Sequence, residues 1–119
     1  MAKLYHNKKC ILKEMSIAKN TIQISFGLMF ASKKRIHKGL CLVMPGDYDL
    51  KYGSAITTWF CFSTLEIIFV NKALEVVDKA QVRPWKMTYI PKSPCKYVIE
   101  STPNRFKNIK VGDHVEIIP

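Results

Sequence analysis

Acidic residues are scarce in this sequence: nine Asp and Glu stand against nineteen Lys and Arg, a formal net charge of +10 over 119 residues. A heat-stable surface laced with ion pairs would raise Glu together with Lys, and with only five Glu present the cations have another origin. Long apolar runs are also missing, since none approaches the roughly 20 residues of a membrane-spanning helix. Residues 1–15 scatter Lys and Glu along their length and contain no apolar signal core, so a cytoplasmic protein with no membrane partner is expected. Glycine is limited to five residues, and no phosphate-loop or dinucleotide spacing occurs among them. Cys10, Cys41, Cys61 and Cys95 form no C-x-x-C pair, and His6, His37 and His114 have no ligand spacing. No metal or other cofactor is therefore expected. Cys10, Cys41 and Cys61 have apolar neighbours and read as reduced core thiols. Two disulfides in an exported protein are the alternative.

The chain does have enough apolar residues, 48%, to build one core without staples. Linkers, repeats and low-complexity tracts are absent, so residues 1–119 read as a single domain, with 1–8 as a flexible basic N-terminus. The positive charge is local: residues 1–38 contain nine cations and one acid, Glu14.

Short alternating or wholly apolar segments at 10–14, 21–25, 40–44, 56–61, 65–70, 73–78, 96–100 and 115–118 read as strands. Pro45-Gly46, Asn71-Lys72 and Gly112-Asp113 mark turns between them. Pro84, Pro91 and Pro94 exclude a long helix near the end of the chain. Segments 32–38 and 102–108 have room for one helical turn each. The expected fold is mainly β: one antiparallel β-sandwich or partly closed β-barrel with one or two short helical turns.

Ordered motifs support this. Ala18, then Gly27-Leu28-Met29-Phe30, Gly39-Leu40 and Pro45 precede Ala55-Ile56-x-Thr58-Trp59-Phe60. Leu65-Glu66-Ile67-Ile68-Phe69-Val70, Tyr97-Val98-Ile99-Glu100 and Val111-Gly112-Asp113 follow in that order. This series resembles the domain-of-unknown-function 192 family of small bacterial and archaeal proteins, over about residues 17–118. The resemblance implies a compact β fold and no established activity. Where the family pattern has an Asp before the apolar strand and a glycine in the next hairpin, this chain has Glu66 and Leu74.

Three groups of residues are candidates for function. Glu66 lies inside the most apolar stretch of the chain, and a carboxylate there needs a partner. A ligand cleft would use it with Trp59, Cys61 and Trp85, while a structural reading bonds it to backbone amides or a lysine. Trp59 and Phe60 are adjacent and point to opposite faces of a strand, so one of them is available for stacking or is covered by a loop. Lys33, Lys34, Arg35 and Lys38 form a basic segment suited to phosphates of RNA or DNA, or to plain solvation. The sequence reading is a non-enzymatic domain that binds a small ligand or peptide. Polyanion binding through the basic third is the alternative, and a hydrolase-like enzyme has the least support.

Overall fold

The structure, a computed structural model, describes residues 2–18, 33–43, 64–83 and 95–119. Its elements in chain order are β1 (Ala2–His6), β2 (Lys9–Ala18), α1 (Lys33–Lys38), β3 (Leu40–Val43), β4 (Leu65–Val70), β5 (Val76–Val82), β6 (Tyr97–Ser101) and β7 (Glu116–Ile118). The seven strands form one curled sheet in the order β5-β4-β6-β3-β2-β1-β7. This is the expected mainly β architecture, with very little helix.

β4 explains why the sheet is covered on both sides. All six of its residues are buried, and their side chains alternate between two apolar clusters. Leu65, Ile67 and Phe69 join Ile36 of α1, Leu40, Leu42 and Val98 on one face. Ile68 and Val70 join Leu4, Leu12, Met15, Ile99, Phe106 and Val115 on the other. A strand buried on both faces reads as a continuous apolar run, as this one does. Each fully buried aliphatic or aromatic side chain contributes about 1.5–3 kcal/mol of transfer free energy.

The two ends of the sheet curl toward each other. Val76 N–H donates to Asp113 O at 2.8 Å, Gly112 N–H to Val76 O at 2.8 Å and Val115 N–H to Leu74 O at 3.0 Å. Together with the Glu75–His114 bridge, these bonds tie the entry of β5 to the entry of β7. The sheet is thus a half-barrel with a stitched seam.

Four details differ from the sequence expectation. Residues 2–8 do not form a flexible N-terminus, because Ala2–His6 is a strand between β2 and β7 with Ala2 and Leu4 at 0% exposure. The turn after it, Asn7-Lys8, has φ of 51° and 64°, the primed geometry that matches strand twist. One pairing, β2 with β3, is parallel, and parallel neighbours need a long crossover, which here contains α1. β5 begins at Val76 rather than Ala73, because Asn71 Oδ1 accepts N–H bonds from Ala73 and Glu75, both at 3.0 Å. That turn carries Leu74 at φ 62°, where the family pattern has glycine. Residues 103–108 form consecutive turns rather than a helix. The strands expected at 21–25 and 56–61 lie outside the described residues.

α1 ends at Gly39, whose φ of 93° closes the helix and whose N–H donates to Ile36 O at 3.0 Å. A Cβ there would meet Leu12 Cδ1 at 2.6 Å, so backbone and core side chain approach as closely as glycine allows.

Candidate functional site

Glu66 is 7% exposed, and both of its oxygens are occupied. Oε2 accepts the Asn104 N–H at 2.7 Å and Oε1 the Phe106 N–H at 2.8 Å. Lys79, across the β4–β5 ladder, places Nζ 3.9 Å from Oε1 and donates to Phe106 O at 2.5 Å and Ile109 O at 3.0 Å. The pair therefore satisfies donors and acceptors of one irregular segment, residues 102–109. Phe106 and Ile109 fasten the same segment from below, at 0% and 1% exposure. Irregular backbone can be buried only when its polar groups find partners, and here one acid and one base provide four of them.

The braced segment forms one wall of a groove of about 190 Å³. Asn104, Arg105, Lys107, Asn108 and Ile109 line that side, and Lys9, Cys10 and Ile11 of β2 line the other. Lys9 and Lys107 are exposed. Arg105 is held in place: Nη2 donates to Ile11 O at 2.9 Å, and Nη1 donates to the His37 imidazole. His37 Nδ1 also lies 3.0 Å from Thr102 Oγ1. Arg105 thereby joins β2, α1 and the 102–109 segment. Cys10 is half-buried and donates its thiol to Leu12 O at 3.4 Å. The groove wall carries three cations and two side-chain amides, with no carboxylate. Such a surface offers hydrogen-bond donors and positive charge to an oxyanion.

A second polar cluster lies at the seam. His6 Nε2 is 2.9 Å from Asp113 Oδ2, which also accepts the Lys110 N–H at 3.0 Å. The Lys110 backbone bond first, and His6 second, hold the Asp113 carboxyl below its ordinary 3.8. A third group stands apart from these. Burial raises Glu100 from 4.5 to about 8. Burial, with Glu100 as the lesser cause, pushes the Cys41 thiol up to about 12.

Of the residues singled out in the sequence, Trp59, Cys61 and Trp85 lie outside the described residues, and Glu66 is the member of that set whose contacts can be stated. Lys33, Lys34 and Arg35 belong to α1. Lys38, in the same helix, pairs at 3.3 Å with Glu14, both side chains being largely exposed. Lys79, Arg105, Lys107 and Asn104 were not anticipated. Thr102-Pro103-Asn104 is a turn signal, and Asn104 has φ 71°, which asparagine tolerates better than most residues. That signal could have marked the groove wall.

A family model described as "Uncharacterized ACR", domain of unknown function 192, matches residues 3–117. The chain belongs to this family. Its relatives include a UPF0127 protein of Pyrococcus abyssi, 33% identical over 107 residues, covering 88% of this chain and 86% of the relative. Another, from Pyrococcus furiosus, is 30% identical over 105 residues, covering 87% and 85%. The fold is similar to a crystal structure of a protein of unknown function from Novosphingobium aromaticivorans, with a TM-score of 0.80 and 21% identity. That match covers 97% of this chain and 82% of the other. The family has no established activity, so the chemistry of the groove has to speak for itself.

Proposed function

We propose that this member of the family is a cytoplasmic, non-enzymatic binding domain whose ligand is a small oxyanion, a phosphate or carboxylate compound. One observation carries the reading: Lys9, Arg105 and Lys107 converge on a groove whose wall contains no acid. Among the described residues neither Lys9 nor Lys107 makes an ion pair, so their charge is available to a ligand. Arg105 is already fixed in place by Ile11 and His37, and a pre-oriented guanidinium loses little entropy on binding. Glu66 and Lys79 serve this site by position, because they hold the wall without touching its occupant.

The test is titration with inorganic phosphate and pyrophosphate, followed by backbone amide shifts. Saturating shifts at residues 104–109 and 9–11 are expected, with affinity weakened about tenfold or more by a combined Lys9→Ala and Lys107→Ala change. No shift at millimolar anion, or the same affinity in that variant, refutes the reading. Trp59→Ala and Trp85→Ala belong in the same series, since the sequence alone nominates those aromatic rings.

Polyanion binding is the second reading, favoured by the contact between Arg105 and His37, which makes α1 and the groove one surface. α1 has no acid in its first turn. A single-stranded RNA probe would then bind with an affinity that falls steeply with salt. Replacing Lys33, Lys34, Arg35 and Lys38 by Gln would flatten that slope. An unchanged slope removes this reading and leaves the small-anion reading standing.

A further inference from the structure

The groove between β2 and the 102–109 segment has two kinds of polar side chain, and they differ in what they can recognise. Lys9, Arg105 and Lys107 donate hydrogen bonds and accept none. Asn104 and Asn108 are the two lining side chains with an oxygen, and each carboxamide both donates and accepts. A bare oxyanion has only acceptors, so the three cations suffice for it and the two amide oxygens would face it without a partner. Those oxygens match a ligand that has donors as well. Both carboxamides are exposed. Asn104 is also held in position: its φ of 71° turns the chain there, and its backbone N–H donates to the buried Glu66 Oε2 at 2.7 Å.

Charge and size narrow the ligand further. Toward three cations and no carboxylate, a phosphate monoester brings about two negative charges at neutral pH, where a carboxylate brings one. The Arg105 guanidinium, fixed by Ile11 O and His37, presents a planar fork that fits phosphate oxygens. The groove holds about 190 Å³. A cavity of about 150 Å³ is enough for a six-membered ring. A single ring therefore fits between the walls, with its phosphate at the rim, where Lys9 and Lys107 are exposed. Ile11, half-buried in the β2 wall, offers an apolar surface to the C–H groups of such a ring.

We propose that the groove takes the phosphate monoester of a small cyclic polyol, a sugar monophosphate, with the phosphate on Lys9, Arg105 and Lys107 and ring hydroxyls on Asn104 and Asn108. The proposal rests on the anion reading above and adds the body of the ligand to it. A hydroxyl donates to a carboxamide oxygen or accepts from a carboxamide N–H, so each asparagine can meet a hydroxyl in either sense. Glu66 contributes by position: through the Asn104 N–H it fixes the backbone that carries one of the two amides.

The experiment compares ribose monophosphate, phenyl phosphate and inorganic phosphate on the full chain at about pH 7.5, where the monoesters are mainly dianionic. Phenyl phosphate has a ring and the same charge but no hydroxyl. Binding is followed by calorimetric titration and by the side-chain amide signals of Asn104 and Asn108. Ribose monophosphate should bind about tenfold more tightly than phenyl phosphate, the gain from two hydrogen bonds of ordinary strength. It should also shift both side-chain amide signals. Asn104→Gly combined with Asn108→Ala should bring the two monoesters to equal affinity, and glycine keeps the left-handed turn at position 104 while removing the amide. Equal affinities in the wild type, or an advantage for the sugar that survives in the variant, overturns the proposal while phosphate binding itself stands. No binding by any of the three overturns it together with the anion reading.

Discussion

Glu100→Gln should change how stability depends on pH more than any other single substitution in the described part of the chain. In the unfolded chain this carboxyl titrates near 4.5, and in the folded protein burial raises it to about 8. A group that holds its proton more tightly when folded stabilises the protein fully below the lower value. That contribution is lost as pH rises through the higher one. Each pH unit between the two costs about 1.4 kcal/mol. The span from 4.5 to about 8 then amounts to about 5 kcal/mol, of which about 3 is already gone at pH 7. Native domains have only about 5–15 kcal/mol in total, so the effect is a large fraction of the whole. The assay is urea unfolding of wild type and Glu100→Gln at single pH steps from 5 to 9, about four units. Wild type should lose stability steeply across that range while the variant changes little, and titrations common to both cancel in the difference. Parallel profiles would show that Glu100 ionises in the folded protein as it does in water, and the burial argument would fail.

Three further outcomes follow from the geometry. Glu66→Gln turns one acceptor into a donor facing a backbone N–H and removes the charge beside Lys79, so chemical denaturation should show a loss of about 2–4 kcal/mol. Amide exchange at residues 104–109 should accelerate in that variant more than exchange elsewhere. Leu74→Gly should be more stable than Leu74→Ala by about 1 kcal/mol in thermal melts, because φ of 62° strains any residue with a Cβ. Asp113→Asn should destabilise at neutral pH and converge with wild type as pH falls below 3.8. The Asp113 carboxyl, its pKa lowered, stabilises only while ionised.

The sequence was most legible where one residue type repeats with a clear period. β4 was expected at 65–70 and is found there, since six consecutive apolar-dominated positions between polar breaks leave little choice. The alternation of Tyr97 and Ile99 against Val98 also placed β6 and its two faces. The start of β5 was read three residues early because the Asn71 side chain, rather than any pattern of hydrophobicity, holds the turn open to Glu75. β1 was missed although β2 follows it after the Asn7-Lys8 turn, because that turn has no glycine to mark it and the other partner, β7, is distant in the chain. Residues 2–6 alternate weakly, and only burial against β2 and β7 makes them a strand. Glu66 was rightly marked as a residue that needed partners. Its partners are backbone amides some 40 positions away, which no local pattern encodes. The groove was invisible for the same reason: Lys9 and Lys107 meet through strand pairing and a braced turn, and neither stands in a basic run with the other. Glu100 was read as part of a strand, and its burial follows only from the strands on either side of it.

The pairing of β1 with β7 has a kinetic meaning beyond its place in the sheet. Lys3 lies opposite Ile118, so two of the most widely separated described segments are direct neighbours. Closing so long a loop costs entropy before any contact repays it, which puts this contact late on the route to the native state. Truncating Ile117, half-buried in that pairing, should therefore leave the folding rate nearly unchanged and make the protein open faster. The β1–β7 pairing is where the half-barrel would begin to come apart.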